Sequence, residues 1–169
     1  MRIKHVAVGA VVVGGLAAAH GAVPASTAAT SPAATRAIAY AKQQIGEPYM
    51  WGGPTVPGTE NGFDCSGLAM MAYQAAGVTI PRTSEEQFAA GPQVPASQVE
   101  PGDLVFFAGS DGTPANPGHV GIVTGPHQMV DAYGSGTDVR SETYGLPNSA
   151  PGLTDPVGFT DPAAAEAAA

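Results

Sequence analysis

Cys65 is the only cysteine of the chain, and it stands in the run Gly62-Phe63-Asp64-Cys65-Ser66-Gly67-Leu68. Asp64 is a good helix N-cap, which puts the cysteine in a first helical turn. Unpaired N–H groups and the positive end of the helix dipole gather there, and both favour a negative sulfur. The same N–H groups can face the oxygen of a tetrahedral intermediate. A thiolate so placed suits attack on a carbonyl carbon, the opening step of amide hydrolysis. Asp64 opposes the thiolate as a nearby negative charge unless capping, or a cationic group of a substrate, occupies its carboxylate. The plain alternative is a small buried core residue, since the apolar stripe of the helix begins at Leu68.

A thiolate needs a base within hydrogen-bond reach, usually a histidine. Beyond the amino-terminal segment the chain has His119 and His127. His119 opens the alternating stretch His119-Val120-Gly121-Ile122-Val123. Val120 and Ile122 take one face there, and His119 shares the other with Gly121, which leaves room beside it. His127 lies in Gly125-Pro126-His127-Gln128, a turn in which a solvated histidine is the ordinary reading. His119 is therefore the favoured base. Its second ring nitrogen needs an orienting partner. Asp131 is the best placed, because it interrupts the apolar run Met129-Val130-Asp131-Ala132-Tyr133 of the next strand. Asp103 competes, but Pro101-Gly102-Asp103 reads as a turn whose carboxylate caps backbone. One cysteine and two histidines without ligand spacing do not make a zinc site, so neither metal nor cofactor is expected.

The elements that must position these groups come in a clear order. Ala34, Ile38, Ala41 and Ile45 recur at helical spacing, and Gly46 and Pro48 supply a stop. A second helix runs on from Asp64, with Leu68, Met71, Ala72 and Ala75 on one face and Gly77 past its end. Thr83 and Glu86 form a capping box that starts a short third helix. After Pro101-Gly102 come the strand-like stretches 104–107, 119–124, 128–133 and 138–143, separated by Gly, Pro or Asn clusters. Helices first and strands afterwards predict an α+β domain, with the helices packed on a small antiparallel sheet.

The 169 residues suffice for one domain and an export segment. Arg2 and Lys4 precede an apolar run from Val6 to Ala19 and then small residues, which reads as a cleaved signal over 1–21. A flexible lead-in is expected over 22–33, the domain over 34–160 and a disordered alanine-rich tail over 161–169. The run is too short to span a bilayer comfortably, so no membrane partner is expected once the signal is removed. With 44% hydrophobic and 12% charged residues a packed core is feasible. The net charge of −8 rests on only six Lys and Arg, which excludes a phosphate-gripping face and hence nucleic acid.

The chain resembles the NlpC-type family of bacterial cell-wall cysteine peptidases, which share a papain-like fold. Five blocks carry the resemblance in order: Tyr49-Met50-Trp51-Gly52-Gly53, Phe63-Asp64-Cys65-Ser66-Gly67-Leu68, Pro81-Arg82-Thr83-Ser84 with Gln87, Pro101 to Phe107, and Gly118 to Val123. It implies that Cys65 is the nucleophile and His119 the base. The third catalytic position falls on Asp131, where the commonest pattern has histidine. Tyr49 matches a tyrosine lining the cleft, and Asp64 and Ser66 match positions on the substrate side. The segment 54–61 is longer than in many relatives, which implies a reshaped cleft rim. Family members cleave amide bonds in the stem peptides of peptidoglycan, so these are the expected partner. The expected protein is a monomer, secreted or associated with the cell wall. Two alternatives stay open. One is a different thiol amidase or acyltransferase, such as a delivered toxin. The other is a wall-binding module that has lost activity, with Asp131 as the sign of decay.

Overall fold

The Ser31 hydroxyl accepts the Ala34 N–H at 3.0 Å and Pro32 follows at the first helical position, which together start α1 (Pro32–Gln43). The computed structural model describes residues 30–53 and 61–164. The predicted signal, most of the predicted lead-in and nearly all of the 54–61 segment lie outside them. The helix begins inside the stretch expected as lead-in, because Ser31 caps and Pro32 fits a first turn. Ala33, Ala34, Ala37 and Ala41 form its buried face, small enough to let α1 lie close against α2 (Cys65–Ala75). Ile45, expected on that face, falls past the helix end and is exposed. In α2 the helix is buried around most of its girth, and Ala76 rather than the exposed Ala75 closes the apolar side. The capping box forms as expected at the start of α3 (Ser84–Ala90), with Thr83 and Glu86 exchanging bonds.

Five antiparallel strands follow: β1 (Leu104–Phe107), β2 (His119–Gly125), β3 (Gln128–Asp131), β4 (Arg140–Thr143) and β5 (Gly158–Thr160). Their order in the sheet is β4-β3-β2-β1-β5. The α+β expectation of amino-terminal helices on an antiparallel sheet is met. Two of the expected strands are shorter than predicted, and a fifth was not predicted. The third strand stops at Asp131 and not at Tyr133, and the fourth begins at Arg140 and not at 138. The cause is a change of partner: Asp138 bridges Pro48 and the Val139 N–H donates to Glu47 O, so this stretch leaves β3 for the loop after α1. β5 has only three residues, too few to show alternation, and escapes a reading by periodicity.

Strand alternation splits the core in two. Leu104, Phe106, Val120, Ile122 and Val130 face the helices. Val105, Phe107, Val123 and Met129 face the other way, under Tyr144, Leu153 and Phe159. Phe106 and Phe107 are both fully buried, each burial contributing roughly 1.5–3 kcal/mol. The tail expected to fray from 161 is instead packed at its start: the Asp161 N–H donates to Pro92 O, and Ala163 joins the helix-side core. No helix among the described residues is long and apolar enough to cross a membrane.

Candidate active site

Cys65 is the first residue of α2, half-buried, with Asp64 as N-cap. The Asp64 carboxylate caps through the Gly67 N–H at 2.7 Å and also accepts the Gly52 N–H at 2.9 Å. Arg82 closes on both its oxygens, at 3.0 and 2.5 Å. The opposing charge that the sequence placed beside the cysteine is thus matched by a guanidinium from the turn before α3. Arg82 also donates to the Ser66 hydroxyl at 3.0 Å, and the buried Gln87 amide donates to Ser66 O at 3.0 Å and Pro81 O at 2.8 Å. Gly67 is required by close approach: a Cβ there would stand 2.3 Å from Gly53 O and 2.8 Å from Asp64 Oδ1.

His119 is the first residue of β2, and the Cys65 sulfur sits 3.9 Å from the carbonyl oxygen of the preceding Gly118. The His119 Nε2 bonds Asp131 Oδ2 at 2.8 Å, which leaves Nδ1 free of Asp131, and the ring lines the same cleft as Cys65 and interacts with it electrostatically. Register explains the pairing. Ile122 faces Val130 across β2 and β3, so Asp131 comes level with Gly121, two residues along the same face as His119. A Cβ on Gly121 would lie 2.4 Å from Met129 Sδ and 3.5 Å from the Asp131 Cβ, so the glycine keeps this lane clear. The imidazole is flanked by Phe107 and Tyr133, with ring centroids at 5.9 and 5.8 Å. Tyr133 is itself tethered, its hydroxyl to Pro151 O and its ring beneath Arg140.

The electrostatics follow from burial and partners. Burial pushes the His119 imidazolium towards losing its proton, but the hydrogen bond to Asp131 and the interaction with Cys65 prevail and raise it to about 10. Asp131 is fully buried, and its Oδ1 has no hydrogen-bond partner among the described residues. Among the described residues its ion-pair partner is His119. Burial first, then the charges of Cys65 and Asp64, raise the Tyr49 phenol, which keeps its proton as a donor at neutral pH.

These groups share one open cleft of about 970 Å³, which Tyr49, Asp64, Cys65, Ser66 and His119 all line. Asp131 stands behind His119, outside that lining. Asp64 and Ser66, expected on the substrate side, reach the cleft wall but spend their polar atoms on internal bonds. Asp103 accepts the Glu100 N–H at 2.8 Å and caps its turn. His127 is exposed in its turn, bonded to Tyr144 O. Arg82, Gln87, Phe107 and Tyr133 have no assigned part in the sequence reading. Arg82, Gln87 and Phe107 stand in the blocks that carry the resemblance, and Arg82 is also one of few cations in an acidic chain. No group of three or more His, Cys, Asp or Glu that could hold a metal occurs among the described residues.

Residues 46–149 match the NlpC/P60 family. The chain belongs to the NlpC/P60 family. It is 39% identical over 107 residues to the peptidoglycan endopeptidase RipB of Mycobacterium tuberculosis, covering 58% of this chain and 42% of RipB. A probable endopeptidase of Corynebacterium glutamicum is 42% identical over 124 residues, 71% of this chain and 54% of that protein. The chain thus spans about half or less of the length of these curated relatives. Among solved NlpC/P60 structures, RipB superposes with a TM-score of 0.60 at 34% identity, covering 76% of this chain and 63% of that one. The P60 domain of a Mycobacterium avium subspecies paratuberculosis antigen superposes at 0.62 and 33% identity, covering 76% and 93%.

Proposed function

We propose that this NlpC/P60 chain is a peptidoglycan endopeptidase that hydrolyses an amide bond of the stem peptide through Cys65, His119 and Asp131. The carrying observation is that Cys65 at a helix start and a buried His119 line one cleft, with His119 held from behind by a buried Asp131 at 2.8 Å. Because His119 holds its proton up to about 10, it can serve as the imidazolium partner of the attacking sulfur. The sulfur attacks the amide carbonyl carbon and forms a C–S bond. Oxygen charge builds up where the first-turn N–H groups of α2 and the Tyr49 hydroxyl can meet it. His119 then delivers its proton to the departing nitrogen as the C–N bond breaks. Water, giving a proton to His119, attacks the thioester, and a carboxylate leaves as the thiolate is restored. Asp131 holds the ring and balances its charge throughout. Tyr49, Asp64 and Ser66 shape the substrate side of the cleft.

The endopeptidase names of the relatives support the peptidoglycan substrate. The basic head and apolar run of residues 1–21 support action outside the cytoplasm. The test is mass spectrometry of peptidoglycan fragments incubated with the chain and with Cys65→Ala. New stem-peptide products that require Cys65 are expected, and their masses name the bond. No cleavage by the parent, with Cys65 readily alkylated, would replace the reading with a thiol enzyme for another amide.

A further inference from the structure

Trp51 is the only tryptophan of the chain and is 79% exposed, the most of any large apolar side chain among the described residues. A single exposed apolar side chain is ordinary on a protein surface. Trp51 differs in two respects. It lines the cleft that holds Cys65 and His119, and the turn that carries it is tied down on both sides. The Tyr49 N–H donates to Thr137 O at 2.9 Å and the Met50 N–H to Phe63 O at 2.9 Å. The Gly52 N–H reaches the Asp64 carboxylate, and the Gly53 N–H closes the turn on Met50 O at 3.1 Å. The backbone under the indole is therefore fixed to the residue that caps the cysteine helix. The ring itself is left in water, beside Met50, which is 42% exposed.

We infer that Trp51 is a platform for a sugar ring of the glycan strand that bears the stem peptide. The inference rests on the proposed peptidoglycan substrate and goes beyond it, since it places the glycan strand as well as the stem peptide against the chain. The cleft lining joins small and polar groups, Ser66, Ser84 and Ser135 among them, with the half-buried rings of Tyr49 and Tyr133. Trp51 adds to it a broad, flat, electron-rich face left open to solvent. The axial C–H bonds of a pyranose present a flat, weakly positive apolar face of similar size, and the quadrupole of an aromatic ring attracts it. A rigid aromatic loses little conformational entropy on binding, so a pre-fixed indole is an efficient place to grip a repeating sugar. In this arrangement the glycan docks at the rim and the peptide enters towards Cys65, which ties cleavage to stems still attached to the wall.

The lone tryptophan also reports on its own site. Titrating the full chain with a peptide-free N-acetylated disaccharide of the glycan should give a saturable change in tryptophan fluorescence. In kinetics, Trp51→Ala should raise the KM ratio of sugar-linked to sugar-free stem peptide roughly tenfold, with kcat much less affected, and Trp51→Tyr should recover most of it. An unchanged ratio, with both substrates losing equally, would assign Trp51 to the peptide and overturn the inference. So would a silent fluorescence titration at millimolar disaccharide. If the parent cleaves neither substrate, the peptidase reading fails by itself, and the fluorescence titration still decides the sugar site.

Discussion

The two walls of the cleft are held by different physics. On the helix wall, the Asp64 carboxylate has four strong partners, two backbone N–H groups and both arms of Arg82, and the Arg82 guanidinium in turn reaches Ser66. On the sheet wall, the Asp131 carboxylate has a single partner among the described residues, His119, and one buried oxygen with none there. A network with several partners loses one and keeps its shape. A single buried ion pair does not, because removing either member strands the other charge out of water. The helix wall is therefore expected to fail by degrees and the sheet wall all at once.

The largest expected effects come from the reacting pair, and they separate the walls. Cys65→Ala should abolish hydrolysis, by roughly 10⁴-fold or more, while leaving the melting temperature close to that of the parent. His119→Ala should be as inactive and should also lose about 3–5 kcal/mol of stability, because Asp131 is left buried without its counter-charge. Denaturant titration of the two variants compares them directly. Equal stability would mean the sheet wall is not held by the pair.

Next in size is Asp131→Asn, which keeps the shape and removes the charge. Activity should fall by roughly 10²–10⁴-fold, short of the loss in His119→Ala. The pH dependence sharpens this. In the parent, kcat should hold through neutral pH and fall as pH rises through about 10, where His119 loses the proton owed to the leaving nitrogen. His119's contribution to stability follows the same sign: complete below its ordinary value of 6.5 and lost as pH rises through about 10. Histidine NMR titrations of parent and Asp131→Asn should show the variant's His119 titrating lower. An unmoved titration would remove Asp131 from its role.

The smallest of these effects belongs to the helix wall. Arg82→Ala should cost about 1–3 kcal/mol and roughly tenfold in activity, because two N–H donors still hold the Asp64 cap. Loss of the fold on this substitution would show that the helix wall is as brittle as the sheet wall.

The same division decides what was legible in the sequence. The start of α2, its Asp64 cap and the capping box at Thr83 are local, settled within three or four residues, and so are legible in the sequence. The faces of β2 were legible from the even spacing of Val120 and Ile122. That Asp131 lies on the strand beside His119 was legible from the hairpin, while the register that joins the two was not. What stayed hidden depends on distant chain. Arg82 meets Asp64 across 18 residues, and it turns an apparent electrostatic obstacle into a neutral cap. The flanking of His119 by Phe107 and Tyr133 depends on sheet register and on the loop that carries Pro151. The short reach of β3 and β4 follows from the exchange of partners at Asp138 and Val139, which local propensity does not encode. The packed start of the supposed tail is likewise a tertiary effect, for nothing in an alanine run announces that Ala163 fills a core position.

The most direct test of the account is to follow stem-peptide hydrolysis while Cys65 is progressively alkylated with iodoacetamide, counting the modified protein by intact mass. Activity should disappear mole for mole with modification of this one thiol. Full activity in completely alkylated protein would contradict the account.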